Sequence, residues 1–123
     1  MILCHGVVVA KGLITSTIAN FDQTLLIQVR ASLQLVSIAI PFLKLAQNPS
    51  VTILTSNQGT APDPQSPVMS TAAAMVQMMI KCTALETAFH GVRVNGVAAG
   101  VIKSKARTKG DQMEMQLTDA END

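Results

Sequence analysis

Few side chains in this 123-residue sequence are equipped for chemistry, and their spacing limits what they can do. Ser56 closes an apolar run that begins at Val51, a hydroxyl at the end of a strand-like segment. His5 has the right side chain for a base or a ligand, but no carboxylate or second histidine lies near it in sequence. A loop histidine with a backbone hydrogen bond is therefore expected. Cys4 and Cys82 are far apart and lack metal-type spacing. Both are expected to be buried small hydrophobes in a reducing compartment, and no metal site is expected. Met75, Met78, Met79 and Cys82 stripe one side of a helical stretch, where methionine fills irregular gaps in a core or between helices. Tyrosine, whose phenol can act as a general acid, is missing altogether.

These residues need elements to hold them. Met1–Cys4 reads as the end of a strand, and His5-Gly6 as a turn. Val7–Ile14 reads as an excursion that re-enters at Thr15-Ser16-Thr17. Thr17 or Asn20 can cap a helix over Phe21–Leu45. That helix is apolar nearly all round, which implies burial on more than one side. Pro41 should loosen its last turns, and Gln47-Asn48-Pro49 should end it. Ser50–Thr55 is the next strand, with Val51, Ile53 and Leu54 suited to a parallel sheet buried on both faces. Asn57–Pro67 is a loop carrying Pro62, Pro64 and Pro67. Val68–His90 is a second helix with a small-residue patch from Ser70 to Ala74, and Gly91 is its C-terminal cap. Val92–Val97 is a third strand. Strand–helix–strand in this order predicts an α/β fold, a parallel β-α-β-α-β unit. Crossovers of one hand then put both helices on one face of the sheet.

The stretch from Ser56 to Ser104 resembles the second half of a short-chain dehydrogenase/reductase. The resemblance rests on Ser56, on a helix start thirteen residues later, on the run GVRVNGVAAG, and on the following Ile102 and Ser104. It covers about residues 1–107 and implies a partial Rossmann-like unit, followed by a charged tail over 108–123. In that family a serine hydrogen-bonds the substrate oxygen, and a tyrosine donates the proton. A lysine four residues on tunes the tyrosine and holds the nicotinamide ribose, and an asparagine on the preceding helix anchors a water. Carbonyl reduction needs such a donor within hydrogen-bond reach of the developing alkoxide. Ser56 matches the serine. Met69 stands where the tyrosine belongs, Ala73 where the lysine belongs, and Gln28 where the asparagine belongs. A thioether donates no proton and an alanine positions nothing. Gly100, Ile102 and Ser104 match positions that flank the nicotinamide, with Ala99 in place of the preceding proline. The turn Leu3-Cys4-His5-Gly6 takes the place of an Asn-Asn-Ala-Gly turn and keeps only its glycine. The glycine-rich pyrophosphate loop of the family's first half has no counterpart, so no bound NAD(P) is expected.

Composition narrows the partners. A net charge of +1 gives neither a nucleic-acid footprint nor an acidic-partner signal. Through Ile102 there are five basic and three acidic residues, too few to cover an ordinary soluble surface. The tail splits into a basic half (Lys103, Lys105, Arg107, Lys109) and an acidic half (Asp111 to Asp123). No leader signature opens the sequence, and charges or polar breaks interrupt its apolar runs, so no membrane span and an intracellular, cytoplasmic location are expected. In the resembled family the two equivalent helices form the main subunit contact. The expected role is thus a non-catalytic structural or interaction subunit, a homo-oligomer or part of a larger assembly through helices 21–45 and 68–90. Two other readings stand beside it. One is an NAD(P)-dependent oxidoreductase module completed by a partner chain that supplies the glycine-rich half. The other is a piece of a longer short-chain dehydrogenase.

Overall fold

Three parallel strands carry the architecture: β1 (Ile2–Leu3), β2 (Ser50–Ser56) and β3 (Arg93–Ala99), in the order β1-β2-β3. The structure is a computed structural model that describes residues 1–9 and 11–102. Register is set by Ile2 opposite Thr52 and Leu3 opposite Ile53 on one side of β2. On its other side β3 runs alongside from Ser50–Arg93 to Ser56–Ala99. Helix α1 (Ile18–Leu43) connects β1 to β2, and α2 (Pro67–Ala88) connects β2 to β3. The expected β-α-β-α-β order and α/β class are thus observed.

Both helices lie on one face. Leu3, Val51, Ile53, Val92 and Val94 from the sheet side pack with Val36 of α1 and with Val76 and Ile80 of α2 in a single core. Alternation along a strand sends every second side chain to the other face. There Ile2, Leu54 and Val97 are 74%, 40% and 51% exposed. The expectation that β2 is buried on both faces is therefore corrected at Leu54, because among the described residues no element covers that side.

Helix α1 begins three residues before the expected Phe21. Thr17 caps it in a reciprocal box with Asn20: the Asn20 N–H donates to Thr17 Oγ1 at 3.2 Å, and the Thr17 N–H donates to Asn20 Oδ1 at 3.2 Å. The helix is α-helical over Ile18–Thr24, π-helical over Leu25–Arg30 and α-helical again over Ala31–Leu43. The wider π turn shifts which side chains face the sheet, and the sequence pattern did not reveal it. Pro41 sits inside the last turns without ending them. It leaves the Ser37 carbonyl without its helical partner, at a residue exposed to solvent. Asn48 then turns with φ 53° before Pro49, and β2 follows. At the far end of α2, Gly91 adopts φ 72°, the left-handed cap that glycine favours.

Neither helix buries its whole circumference, contrary to the reading of α1 as buried on more than one side. Leu33, Leu35, Ile38 and Phe42 of α1 are exposed, as are Met75, Met78 and Leu85 of α2 and Phe89 just beyond it. The core of α2 is instead built from small or branched residues: Val68, Ala72, Ala73, Val76 and Ile80. The methionine stripe is consequently not core, apart from the half-buried Met79. Cys4 and Cys82 are both exposed free thiols, which corrects the expectation of burial. By length and composition alone, α1 and α2 are each long and apolar enough to cross a membrane, although charged and polar residues interrupt them. The α2 helix packs its Val76–Ile80 face against the sheet. The boundary expected at residue 107 and the charged tail lie outside the described residues.

Candidate functional site

The carboxyl ends of parallel strands are where an open α/β sheet places its ligand site. Here those ends are Leu3, Ser56 and Ala99, and the candidate residues gather around two of them. Ser56 is the last residue of β2, directly opposite Ala99. Its Oγ accepts from the Gln58 N–H at 3.2 Å, so the hydroxyl caps the short 3₁₀ turn Asn57–Gly59. Its carbonyl accepts from Gln77 Nε2 of α2 at 2.8 Å. Gly100 follows β3 beside this turn, and a Cβ there would lie 3.8 Å from Asn57 Nδ2. Ile102 is exposed, and Ser104 lies outside the described residues.

Met69 and Gln28 do meet. Gln28 Nε2 contacts Met69 Sδ at 3.3 Å and donates to the Val7 carbonyl at 2.8 Å. The amide therefore ties the π segment of α1 to the loop after β1 and rests against the first turn of α2. Ala73 is buried at 2% exposure, one turn further along α2. A Cβ built on Gly59 would stand 2.8 Å from the Ala73 carbonyl carbon and the Ala74 nitrogen, and 2.6 Å from Gln77 Nε2. The 3₁₀ turn thus lies directly on the helix backbone at the position the resemblance gives to a lysine.

Sequence reasoning missed the polar net that holds the loop Asn57–Pro67. The carboxylate of Asp63 accepts from Gln58 Nε2 at 2.9 Å and from Ser66 Oγ at 2.7 Å, and its other oxygen accepts from the Gln65 N–H at 3.0 Å. The last bond is an aspartate turn onto the backbone two residues ahead, a pattern already present in Asp63-Pro64-Gln65. Ser66 Oγ also accepts from Gln58 Nε2 at 3.2 Å, and it makes no side-chain cap on α2, whose first residue is Pro67. Thr60 Oγ1 donates to Gln77 Oε1 at 3.1 Å, so Gln77 braces both ends of the turn. His5 is held as well, though by a side chain rather than the expected backbone group. Ser32 Oγ donates to the Gln28 carbonyl at 2.6 Å. Its single hydrogen is then used, and the 3.0 Å contact with His5 Nε2 assigns the ring hydrogen to that nitrogen.

Whether these residues fit a dinucleotide is a geometric question. Pyrophosphate sits on a helix N-terminus whose N–H groups are free and approachable. The start of α1 is closed by its own Thr17–Asn20 box. The start of α2 carries a proline without an N–H and has the Asp63 carboxylate bonded to the residue before it. A second negative group there would be repelled. The described residues therefore do not build a pyrophosphate cradle. Among them no set of three or more His, Cys, Asp or Glu side chains converges on a metal position.

Comparison with known proteins supplies the relationship. Residues 1–123 match the family model described as Enoyl-(Acyl carrier protein) reductase. The solved structure of ElxO with NADP bound superposes with a TM-score of 0.82 at 20% identity, over 92% of this chain and 46% of that one. An ElxO variant with NADPH bound gives the same values. A short chain dehydrogenase from Mycobacterium smegmatis superposes with a TM-score of 0.75 at 18% identity, over 82% and 42%. At these identities the superpositions establish the fold, and the chain spans less than half the length of each of these proteins. With a parallel sheet, crossover helices on one face and a serine closing the central strand, the chain belongs to the short-chain dehydrogenase/reductase family.

Proposed function

We propose that this chain serves as a non-catalytic member of its family, a structural or interaction subunit that associates through α1 and α2. The observation that carries the reading is the first two turns of α2. Met69 and Ala73 stand where the resemblance places the proton donor and its lysine. Met69 is in contact with Gln28, and Ala73 is buried under Gly59. The described residues at this end of the sheet offer no tyrosine–lysine pair and no cradle for the nucleotide. The apolar faces left on the helices supply the other half of the argument. Leu35, Ile38 and Phe42 on α1, and Leu85 with Phe89 along α2, recur every three or four residues, the spacing of helix–helix seams. Large apolar side chains left exposed along helices in this way support the reading of an association surface. Two exposed free thiols suit a reducing, intracellular setting.

Sedimentation of the purified chain across a range of concentrations tests this. Self-association that is weakened by Phe42→Glu together with Leu85→Glu supports it. A monomer at every concentration with a sharp, concentration-independent thermal transition contradicts it.

A second reading is favoured by Ser56 and Gly100 lying together beside the uncovered sheet face. In it the chain is an NAD(P)-dependent module whose glycine-rich half comes from a partner chain. Thermal stabilisation by NADPH that appears only with such a partner present would support this reading over the first.

A further inference from the structure

Among the described residues β3 has one strand partner, β2, and its other edge is open. The Arg93 N–H donates to the Pro49 carbonyl at 3.2 Å, so the backbone groups of Arg93, Asn95, Val97 and Ala99 face β2. In a parallel pair the alternate residues turn theirs away, and here those are Val94, Gly96 and Ala98. Just before them the edge is satisfied from within the chain. The Val92 N–H donates to the Thr87 carbonyl at 3.4 Å, and the Val92 carbonyl accepts from Thr87 Oγ1 at 3.1 Å. No described residue does the same for the next three. Open strands are ordinarily guarded by charges, prolines or bulges. In β3 the register with β2 is unbroken, there is no proline, and the single charge is Arg93 at one end.

We propose that this edge joins a second copy of the chain, β3 against β3, antiparallel about a two-fold axis at Gly96. That symmetry sets Val94 opposite the partner's Ala98, and Gly96 opposite the partner's Gly96. Each such pair exchanges two hydrogen bonds, about six in all, and every open group on both edges is used. The two Gly96 Cα atoms then stand about 5.5 Å apart. Ile80 Cδ1 lies 2.8 Å from where a Gly96 Cβ would be, so the two Ile80 side chains cover adjacent glycines and the core continues across the seam. Arg93 falls opposite the partner's Ala99, which keeps the two positive charges at opposite ends of the ribbon. The chain beyond β3 suits this edge less well: residues 103–123 carry nine charged side chains, against an edge of Gly96, Val97, Ala98 and Ala99. A seam one strand wide falls below the roughly 1,200–2,000 Å² of stable interfaces, so the dimer is weak, with a Kd of about 10–100 µM. The contact uses neither exposed helix face, so it is separate from the association proposed above.

The test is sedimentation equilibrium of the full chain carrying Phe42→Glu and Leu85→Glu, which weakens the helix association and isolates the edge. The expected result is a monomer–dimer equilibrium whose Kd rises about tenfold or more when Ala98→Pro is added. The Ala98 N–H points away from β2, so this proline leaves the β2–β3 ladder in place, and unchanged circular dichroism confirms it. A second pair of variants reads the register. Asn95 and Val97 lie on the uncovered face, and each stands opposite the other across the seam. Asn95→Glu with Val97→Glu sets like charges together and should dissociate the dimer, whereas Asn95→Lys with Val97→Glu sets opposite charges together and should retain it. A monomer at about 200 µM in the Phe42→Glu, Leu85→Glu chain overturns the proposal, and leaves the helix association standing where the parent still associates. Dimerisation untouched by Ala98→Pro, or equal in the two charge variants, also overturns it.

Discussion

Gly59→Ala offers a direct test of how the loop after Ser56 is seated. Gly59 does not use the left-handed region reserved for glycine, so the cost of a side chain there comes from contact alone. The added methyl would meet Ala73 and Ala74 backbone atoms at 2.8 Å and Gln77 Nε2 at 2.6 Å. Ordinary carbon contacts lie near 3.5–4.0 Å, so the turn must lift by most of an ångström, because the helix backbone cannot yield. Overpacking of this kind costs about 1–3 kcal/mol. Lifting the turn also disturbs the Gln77 bond to the Ser56 carbonyl, worth about 1 kcal/mol more. A total of about 3 kcal/mol, with a urea slope of about 1.5 kcal/mol per molar, moves the unfolding midpoint down by about 2 M. Gly100→Ala is the matched control, since its methyl approaches nothing closer than 3.8 Å. Equal midpoints for Gly59→Ala and the parent, or a larger loss in Gly100→Ala, would refute the seating described here.

Other expectations follow from the same contacts. Thr17→Ala removes the reciprocal cap of α1 and should lower stability by about 1 kcal/mol, read as a fall in Tm. Val94→Thr places a hydroxyl in the core beside Val51 and Ile53 and should cost about 1–3 kcal/mol. Val97→Thr, on the uncovered face of the same strand, should stay within about 0.5 kcal/mol of the parent. Denaturant midpoints for this pair report directly which face of β3 is core. The charge pair Phe42→Glu with Leu85→Glu should reduce self-association in sedimentation while leaving helix content intact, because both positions are exposed.

Much of the fold was legible in the order of signals. Apolar runs ending in polar residues, separated by helical stretches, dictated a parallel crossover unit, and Gly91 and Thr17 marked helix ends by known chemistry. Periodicity could not say which apolar residues are buried, since a helix apolar all round offers no contrast. Met75, Met78 and Cys82 were therefore assigned to packing while the core of α2 went to Ala72, Ala73, Val76 and Ile80. Leu54 failed for a related reason: a continuous apolar strand implies two covered faces, and only one is covered by the described residues. At the site, Ser56, Met69, Ala73 and Gln28 were named by the family resemblance, and folding brings two of them, Gln28 and Met69, together. Their contact was not legible in the sequence, because it joins α1 to α2 across 41 residues. The Asp63 net was partly readable, as an aspartate turn, whereas Gln58 reaches Asp63, and Gln77 reaches Ser56 and Thr60, only through folding.

The proposed non-catalytic role requires that this polypeptide, by itself, move no hydride to or from a carbonyl. The most direct measurement is the rate of NADPH oxidation by the purified chain with a panel of carbonyl and enoyl thioester substrates. The account predicts a rate equal to that without protein, at any chain concentration. Oxidation of NADPH in step with substrate reduction, rising with the amount of chain added, would contradict it.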